Sequence, residues 1–185
     1  HINLNTISSL NLNAGDKILE MGMGNGFFVK NLFVIHNTIK YTGCDFSEAM
    51  VDEANKINTL YVNSGNVDFF CADAKELPFA DDSFDKVFSV NTLYFWDNME
   101  LVLSEIHRVL KRKGQITIAI RPKSIMQHYP FVKFGFNMYT KDELVYLLST
   151  NNFEVIEVLE KAEPEQEING EKMAVETLLV NAIKQ

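Results

Sequence analysis

The sequence predicts an α/β fold, a doubly wound sheet whose strands alternate with helices. Two observations predict it. Short apolar segments typical of buried strands alternate with longer segments of helical character along the whole chain. A glycine-rich turn follows the first of these strands, and the next two strands also end in acidic residues. Such a turn and such acids are typical of open sheets that bind a ligand at their carboxyl edge.

The first strand is expected near residues 17–20 and ends in Glu20. Gly22, Gly24 and Gly26 follow it at alternate positions. Glycine lacks a Cβ, so it adopts positive φ and lets backbone N–H groups approach a ligand closely. A turn of this kind places a nucleotide cofactor against the start of the next helix. Glycine turns also join strands to helices with nothing bound, so this motif alone leaves both interpretations open.

Three consecutive strands end in acids, at Glu20, Asp45 and Asp73. In an open sheet the carboxyl ends of the strands line one crevice. An acid about 20 residues past a glycine turn is placed to accept both hydroxyls of a ribose. Any one of these acids is as readily a helix cap or a solvated loop residue. The three together indicate a single pocket.

The remaining elements follow from the same alternation. After the first strand, further strands are expected near residues 40–44, 67–70, 84–89, 115–120, 153–160 and 173–183. Helices are expected near residues 2–11, 25–36, 47–60, 98–111 and 140–150. Strands joined through helices pair in parallel. The last two strands are joined by a charged linker, residues 161–170, without a helix, which favours an antiparallel pair.

These motifs resemble those of the class I, Rossmann-like, S-adenosylmethionine-dependent methyltransferases, and within them the ubiquinone/menaquinone-biosynthesis group. The resemblance runs from about residue 13 to residue 117. Its five motifs are GDKILEMGMGNG (15–26), DFSEAM (45–50), ADAKELPF (72–79), DSFD (82–85) and EIHRVLKRKG (105–114). The resemblance implies a seven-stranded sheet in the order 3-2-1-4-5-7-6, with the last strand antiparallel.

S-adenosylmethionine is the cofactor that the resemblance implies. In that family the acid before the glycine turn reaches the methionine end of the cofactor, and the backbone of the turn contacts its carboxypropyl part. Glu20 and the three glycines of the turn inherit these roles. Val90 and Asn91, at the end of the fourth strand, lie where the family places groups near the methionine part and the transferring methyl.

The adenosine end of the cofactor is assigned in the same way. The resemblance implies that Asp45 binds the ribose hydroxyls. Phe46 and Met50 would pack on the adenine, and Asp73 and Ala74 would read its edge.

The acceptor side is less defined. The segment after the fourth strand, residues 91–96, is aromatic where many relatives carry histidines, and Tyr94 and Trp96 could steer the acceptor. Residues 121–139 contain two prolines, a glycine and five aromatics, which predicts a loop or short helices on the pocket side. These aromatics either cover an apolar ligand or fill the core.

Four residues are the acceptor-side candidates: Tyr94, Trp96, His128 and Tyr129. His128 is the candidate general base by its location, and Tyr94 is the second catalytic candidate. A base is needed only if the acceptor loses its proton before or during attack.

The predicted function is therefore transfer of a methyl group from S-adenosylmethionine to a small-molecule acceptor, through an O, N or C atom, by in-line displacement. One alternative is an NAD(P)-dependent oxidoreductase, whose loop normally reads G-x-G-x-x-G/A. Here the third glycine comes one residue early and the acid precedes the loop. Another alternative is a domain that binds S-adenosylmethionine without catalysis.

Composition sets the remaining expectations. A chain of 185 residues with 46% hydrophobic content predicts a single domain over residues 1–185, with no membrane span. The formal charge of −8 argues against a nucleic-acid partner. Cys44 and Cys71, on neighbouring strands expected to be buried, predict reduced thiols, a cytoplasmic location and no metal. A homodimer is left open, as are residues upstream of His1, since the chain begins without methionine.

Overall fold

A computed structural model describes residues 1–185. Its sheet has seven strands in the order β3-β2-β1-β4-β5-β7-β6. The strands are β1 (Lys17–Met21), β2 (Lys40–Asp45), β3 (Val67–Cys71), β4 (Phe84–Val90), β5 (Leu110–Ile120), β6 (Phe153–Ile168) and β7 (Glu171–Lys184). The first five strands pair in parallel, and β7 runs antiparallel to both β5 and β6. The predicted strand order and antiparallel end are confirmed.

Seven α-helices and two 3₁₀-helices connect these strands. The α-helices are α1 (Ile2–Ser9), α2 (Val29–Ile35), α3 (Glu48–Ile57), α4 (Thr59–Asn63), α5 (Met99–Val109), α6 (Lys123–Met126) and α7 (Lys141–Thr150). The 3₁₀-helices are Leu93–Phe95 and Pro130–Phe134. The model contains no helix with the length and apolar character needed to cross a membrane.

Polar side chains fix where three helices begin. The side chain of Ser47 accepts the Met50 N–H at the start of α3, and that of Asn98 accepts the Leu101 N–H at the start of α5. A capping box formed by Thr140 and Glu143 begins α7. Such contacts satisfy backbone donors that have no partner within the helix.

The two faces of the sheet form separate hydrophobic cores. Alternate residues of a strand point to opposite faces, so neighbours such as Ile18 and Leu19 enter different cores. Helices α5 and α7 contribute to the larger core, of 24 buried residues, and α1 and α2 to the smaller, of 14. Because helices pack on both faces of the sheet, the carboxyl ends of β1, β2 and β4 are held side by side.

The prediction of a charged linker over residues 161–170 is wrong. Both strands continue through this segment, and their pairing reaches Ile168 and Glu171. Asn169 and Gly170 form the turn, with φ of 53° and 82°. An Asn-Gly pair with two positive φ values is the usual two-residue hairpin turn. Its signal was in the sequence, but the many charges around it suggested a solvated linker.

Three smaller differences concern element boundaries and burial. Helix α2 begins at Val29, later than predicted, because the glycine turn continues to Phe28. The helix predicted over residues 47–60 is divided at Asn58 into α3 and α4. Cys44 is buried as predicted, but Cys71 is exposed, because β3 forms an edge of the sheet.

The segment of residues 121–139 consists of short helical pieces, as predicted. It is tied to the distal half of the β6–β7 hairpin by polar contacts. The Tyr129 hydroxyl donates to Gln166 Oε1 at 2.8 Å, and Asn169 Nδ2 donates to the main-chain oxygen of His128 at 2.7 Å. The long hairpin therefore supports the segment that follows β5.

Candidate functional site

The glycine turn after β1 has the backbone conformation that its sequence predicts. Gly22, Gly24 and Gly26 have φ values of 70°, 57° and 64°, in the left-handed region that favours glycine. The N–H of Gly22 donates to the main-chain oxygen of Cys44 at 2.8 Å. A Cβ added to Gly22 would collide with the side chain of Thr92. Strands β1, β2 and β4 thus converge on one glycine.

Asn58 supports the turn from behind. Its Nδ2 donates to the main-chain oxygen of Gly26 at 3.1 Å and to that of Ala54 at 3.0 Å. A Cβ on Gly26 would lie 2.9 Å from the same Nδ2 atom. Asn58 is buried at the junction of α3 and α4. Sequence reasoning missed it, because its partner is 32 positions away and no motif marks it.

Asp45, at the end of β2, joins the turn to α3. Its Oδ2 accepts the Gly24 N–H at 3.0 Å, and its Oδ1 accepts the Ser47 N–H at 2.9 Å. A carboxylate oxygen accepts more than one hydrogen bond, so both atoms retain capacity for a ligand. Asp45 is half-buried and faces a cavity. Its backbone contacts hold the carboxylate in one orientation before any ligand binds.

Glu20, at the end of β1, is buried, with 7% of its surface exposed. The Tyr41 hydroxyl donates to its Oε2 at 2.6 Å. Burial raises the pKa of Glu20 to about 7, the Tyr41 hydrogen bond opposes this rise, and the negative charge of Asp45 adds to it. A carboxyl group in this state gains a proton or a cationic partner readily. Glu20 is therefore suited to bind an ammonium group.

Two cavities open at this edge of the sheet, and they share Gly22. The wide cavity has a volume of about 660 Å³ and the narrow cavity about 240 Å³. The wide cavity is lined by Met21, Gly22, Cys44, Asp45, Phe46, Ala72, Asp73, Ala74, Lys75, Thr92, Phe95, Trp96, Asp97 and Val102. The narrow cavity is lined by Asn3, Glu20, Gly22, Met23, Gly24, Asn25, Gly26, Phe27, Phe28 and Val90.

Most of the predicted cofactor residues line these cavities. Those in the wide cavity are Gly22, Asp45, Phe46, Asp73 and Ala74, together with the acceptor-side candidate Trp96. Those in the narrow cavity are Glu20, Gly22, Gly24, Gly26 and Val90. Met50, Asn91, Tyr94, His128 and Tyr129 line neither cavity. The ligand contacts of all the predicted site residues stay predictions, and these five lack even a place in a cavity wall.

Tyr94 lies behind the cavity wall and is 2% exposed. Its hydroxyl accepts the Arg121 N–H at 2.6 Å and lies 3.1 Å from Asn91 Oδ1. Burial raises the pKa of Tyr94 well above its usual value. The phenol is therefore protonated and engaged within the fold. His128, by contrast, is exposed on the segment after β5, and the catalytic roles of both residues stay predictions.

Several lining residues were not among the predicted site residues. Asn3 reaches the narrow cavity from α1, and Phe95 and Asp97 reach the wide cavity from the connection after β4. The only cationic residue that lines either cavity is Lys75, whose Nζ lies 3.1 Å from Asp97 and 3.6 Å from Asp73. The cavities therefore offer carboxylates to a ligand and no unpaired cation.

Comparisons with known proteins agree with this geometry. A family model described as "Methyltransferase domain" matches residues 19–118. The O-methyltransferase resE of Aspergillus sclerotiorum is 30% identical over 158 residues, which cover 80% of this chain and 58% of that protein. The ubiquinone/menaquinone biosynthesis C-methyltransferase UbiE of Desulfotalea psychrophila is 33% identical over 162 residues, which cover 79% of this chain and 64% of that protein.

A solved structure, the [4+2]-cyclase SpnF, matches 98% of this chain and 80% of its own with a TM-score of 0.79. Its sequence identity is 18%, so this likeness shows the fold alone. The chain spans about three fifths of the length of the two curated relatives. The family model, however, covers more than half of the 185 residues. The chain therefore belongs to the methyltransferase-domain family, in the class I, S-adenosylmethionine-dependent group.

Proposed function

We propose that this chain transfers a methyl group from S-adenosylmethionine to a small-molecule acceptor. One observation carries the proposal: two cavities meet at Gly22, with Asp45 in the wide cavity and Glu20 in the narrow cavity. S-adenosylmethionine has a ribose with two hydroxyls in its nucleoside half and an ammonium group in its amino-acid half. The two acids match these groups, and the junction leaves the sulfonium between them.

The wide cavity suits the adenosine half of the cofactor. Asp45 keeps acceptor capacity on both oxygens for the ribose hydroxyls. Phe46 follows it with 82% of its surface exposed, so an adenine packed on this ring would bury apolar area. Asp73 and Ala74 line the same cavity and would supply polar contacts to the adenine edge. Met50, on the first turn of α3, is a further contact of the adenine in this proposal.

The narrow cavity suits the methionine half. The buried carboxyl of Glu20 would be stabilised as a carboxylate by the ammonium group of the ligand. The three glycines leave the backbone of the turn open to the carboxypropyl chain. Asn3, from α1, closes the same cavity from the other side.

The main requirement that methyl transfer places on the protein is to position the two reactants. The sulfonium makes the methyl group electrophilic, so the protein aligns the acceptor with the S–CH₃ bond and excludes water. Trp96, which is buried in the wall of the wide cavity, is the acceptor-side candidate that lies nearest to this path. His128 and Tyr129 stay proposals as residues of a cover over the acceptor, and the acceptor atom stays open.

Two further proposals accompany this function. A cytoplasmic location is supported by the two free cysteines, since free thiols persist where the surroundings are reducing. A homodimer stays a prediction.

The second candidate function is a domain that binds the cofactor without methyl transfer, because the same fold serves a [4+2]-cyclase.

The first prediction concerns cofactor choice. Calorimetric titration should show that S-adenosylhomocysteine binds with one site per chain, whereas NAD gives no saturable heat. The pyrophosphate of NAD would meet the carboxylates of the cavities, and the one lysine that lines them, Lys75, is paired with Asp73 and Asp97. Incubation of labelled S-adenosylmethionine with a metabolite extract would then separate transfer from binding alone. Saturable binding of NAD alone would reject the proposed cofactor.

The second prediction concerns Asp45. Hydrogen bonds to a charged acceptor contribute roughly 1.5–3 kcal/mol, so Asp45→Ala should weaken S-adenosylhomocysteine binding by roughly 10- to 100-fold. Asp68→Ala, at an exposed position of β3, serves as the control and should bind like the wild type. A folded Asp45→Ala variant of unchanged affinity would remove Asp45 from the cofactor site.

The third prediction concerns the pKa of Glu20, which is about 7 in the free protein. An ammonium group binds the carboxylate form, so cofactor affinity should rise with pH as Glu20 loses its proton. Between pH 6 and pH 7.5, below the usual pKa of an α-amino group, the dissociation constant of S-adenosylhomocysteine should fall roughly tenfold. Glu20→Gln should bind more weakly and lose this dependence. A Glu20→Gln variant with the same pH profile would assign the titration to another group.

A further inference from the structure

The Tyr94 hydroxyl lies within a buried polar network that runs from the end of β4 to the β6–β7 hairpin. We propose that Tyr94 is a positioning residue, which holds the side chain of Asn91 between the strand end at Val90 and the cavity residue Thr92, and which is itself anchored by the Arg121–Glu163 ion pair. This role differs from the direct contact with the acceptor that the sequence predicts for Tyr94. It rests on the proposed function, since it places the sulfonium methyl beside Asn91.

Asn91 lies in the chain between residues that line the two cavities, although it lines neither cavity itself. The residue before it, Val90, lines the narrow cavity, and the residue after it, Thr92, lines the wide cavity and lies against Gly22. Asn91 has a φ of 56°, a left-handed conformation that is uncommon outside glycine but tolerated by asparagine. Its N–H donates to the main-chain oxygen of Ala119 at 2.9 Å. The conformation of this one residue therefore sets the direction in which the chain leaves β4.

Tyr94 fixes the side chain of Asn91. The hydroxyl accepts the Arg121 N–H at 2.6 Å, which orients its single proton away from that group. The proton is then available to Asn91 Oδ1 at 3.1 Å or to the main-chain oxygen of Arg121 at 3.2 Å. Because the ring is buried, water does not replace these partners. The amide of Asn91 thus has a fixed hydrogen-bonding neighbour in the Tyr94 hydroxyl.

The Arg121–Glu163 pair anchors the other end of the network. The guanidinium binds both carboxylate oxygens of Glu163, at 2.8 Å and 2.7 Å, and both side chains are buried, at 8% and 1% exposure. Arg121 also donates to Thr177 Oγ1 and to the main-chain oxygen of Glu176. Movement of Arg121 would leave a buried charge without its partner, which is strongly unfavourable. The hairpin therefore fixes Arg121, and Arg121 fixes Tyr94.

A test compares two ligands that differ only at the reacting group. S-adenosylmethionine carries the methyl group and the positive sulfonium, and S-adenosylhomocysteine lacks both. If Tyr94 positions Asn91 beside this group, Tyr94→Phe should change the ratio of the two dissociation constants by roughly three- to tenfold, the equivalent of one hydrogen bond. Tyr139→Phe is the matched control, since Tyr139 is half-buried near the same segment and its hydroxyl lies outside the network. The control should leave the ratio unchanged.

A second variant makes the test independent of the stability of Tyr94→Phe. Asn91→Gly allows the positive φ and removes the side chain with its amide, so it should change the same ratio in the same direction. In the double variant the two effects should not add, because both remove one interaction. An unchanged ratio in either folded single variant, or full additivity in the double variant, would overturn the positioning role. A wild-type chain that binds neither ligand would instead overturn the proposed function, and the positioning role with it.

Discussion

The close approach of three strands at Gly22 is the constraint on which the rest of the site depends. The N–H of Gly22 donates to Cys44 at the end of β2, and its Cα lies against Thr92 after β4. There is no room for a side chain at position 22 beside Thr92, so only glycine lets the turn begin directly at the end of β1. Because the two cavities share this residue, a ligand that occupies both of them would pass beside the backbone of Gly22.

The two principal acids of the site differ in environment. Asp45 is half-buried and accepts two backbone N–H groups, which holds its carboxylate ready for hydroxyl groups. Glu20 is buried with a single hydroxyl donor, and burial raises the pKa of Glu20 to about 7. A group that is costly to ionise alone gains most from a cationic ligand. The site thus matches a ligand with hydroxyls at one end and an ammonium group at the other.

The parts of this site that the sequence predicts are local. The glycine turn, Glu20 and Asp45 lie within short motifs, and alternation of strands and helices predicts that their strands end at one edge. Asn58 and Asn3 could not be predicted, because each meets the turn through tertiary packing between distant segments. The antiparallel pair of β6 and β7 was predicted, but its extension through residues 161–170 was not, because the high charge of this segment resembles that of a solvated linker.

The most direct measurement of the central claim is a crystal structure of the chain with S-adenosylhomocysteine. We expect the sulfur atom beside Gly22, the ribose hydroxyls on Asp45 in the wide cavity, and the amino group on Glu20 in the narrow cavity. A ligand bound with its amino acid in the wide cavity, or with its ribose away from Asp45, would contradict the division of the site between the two acids.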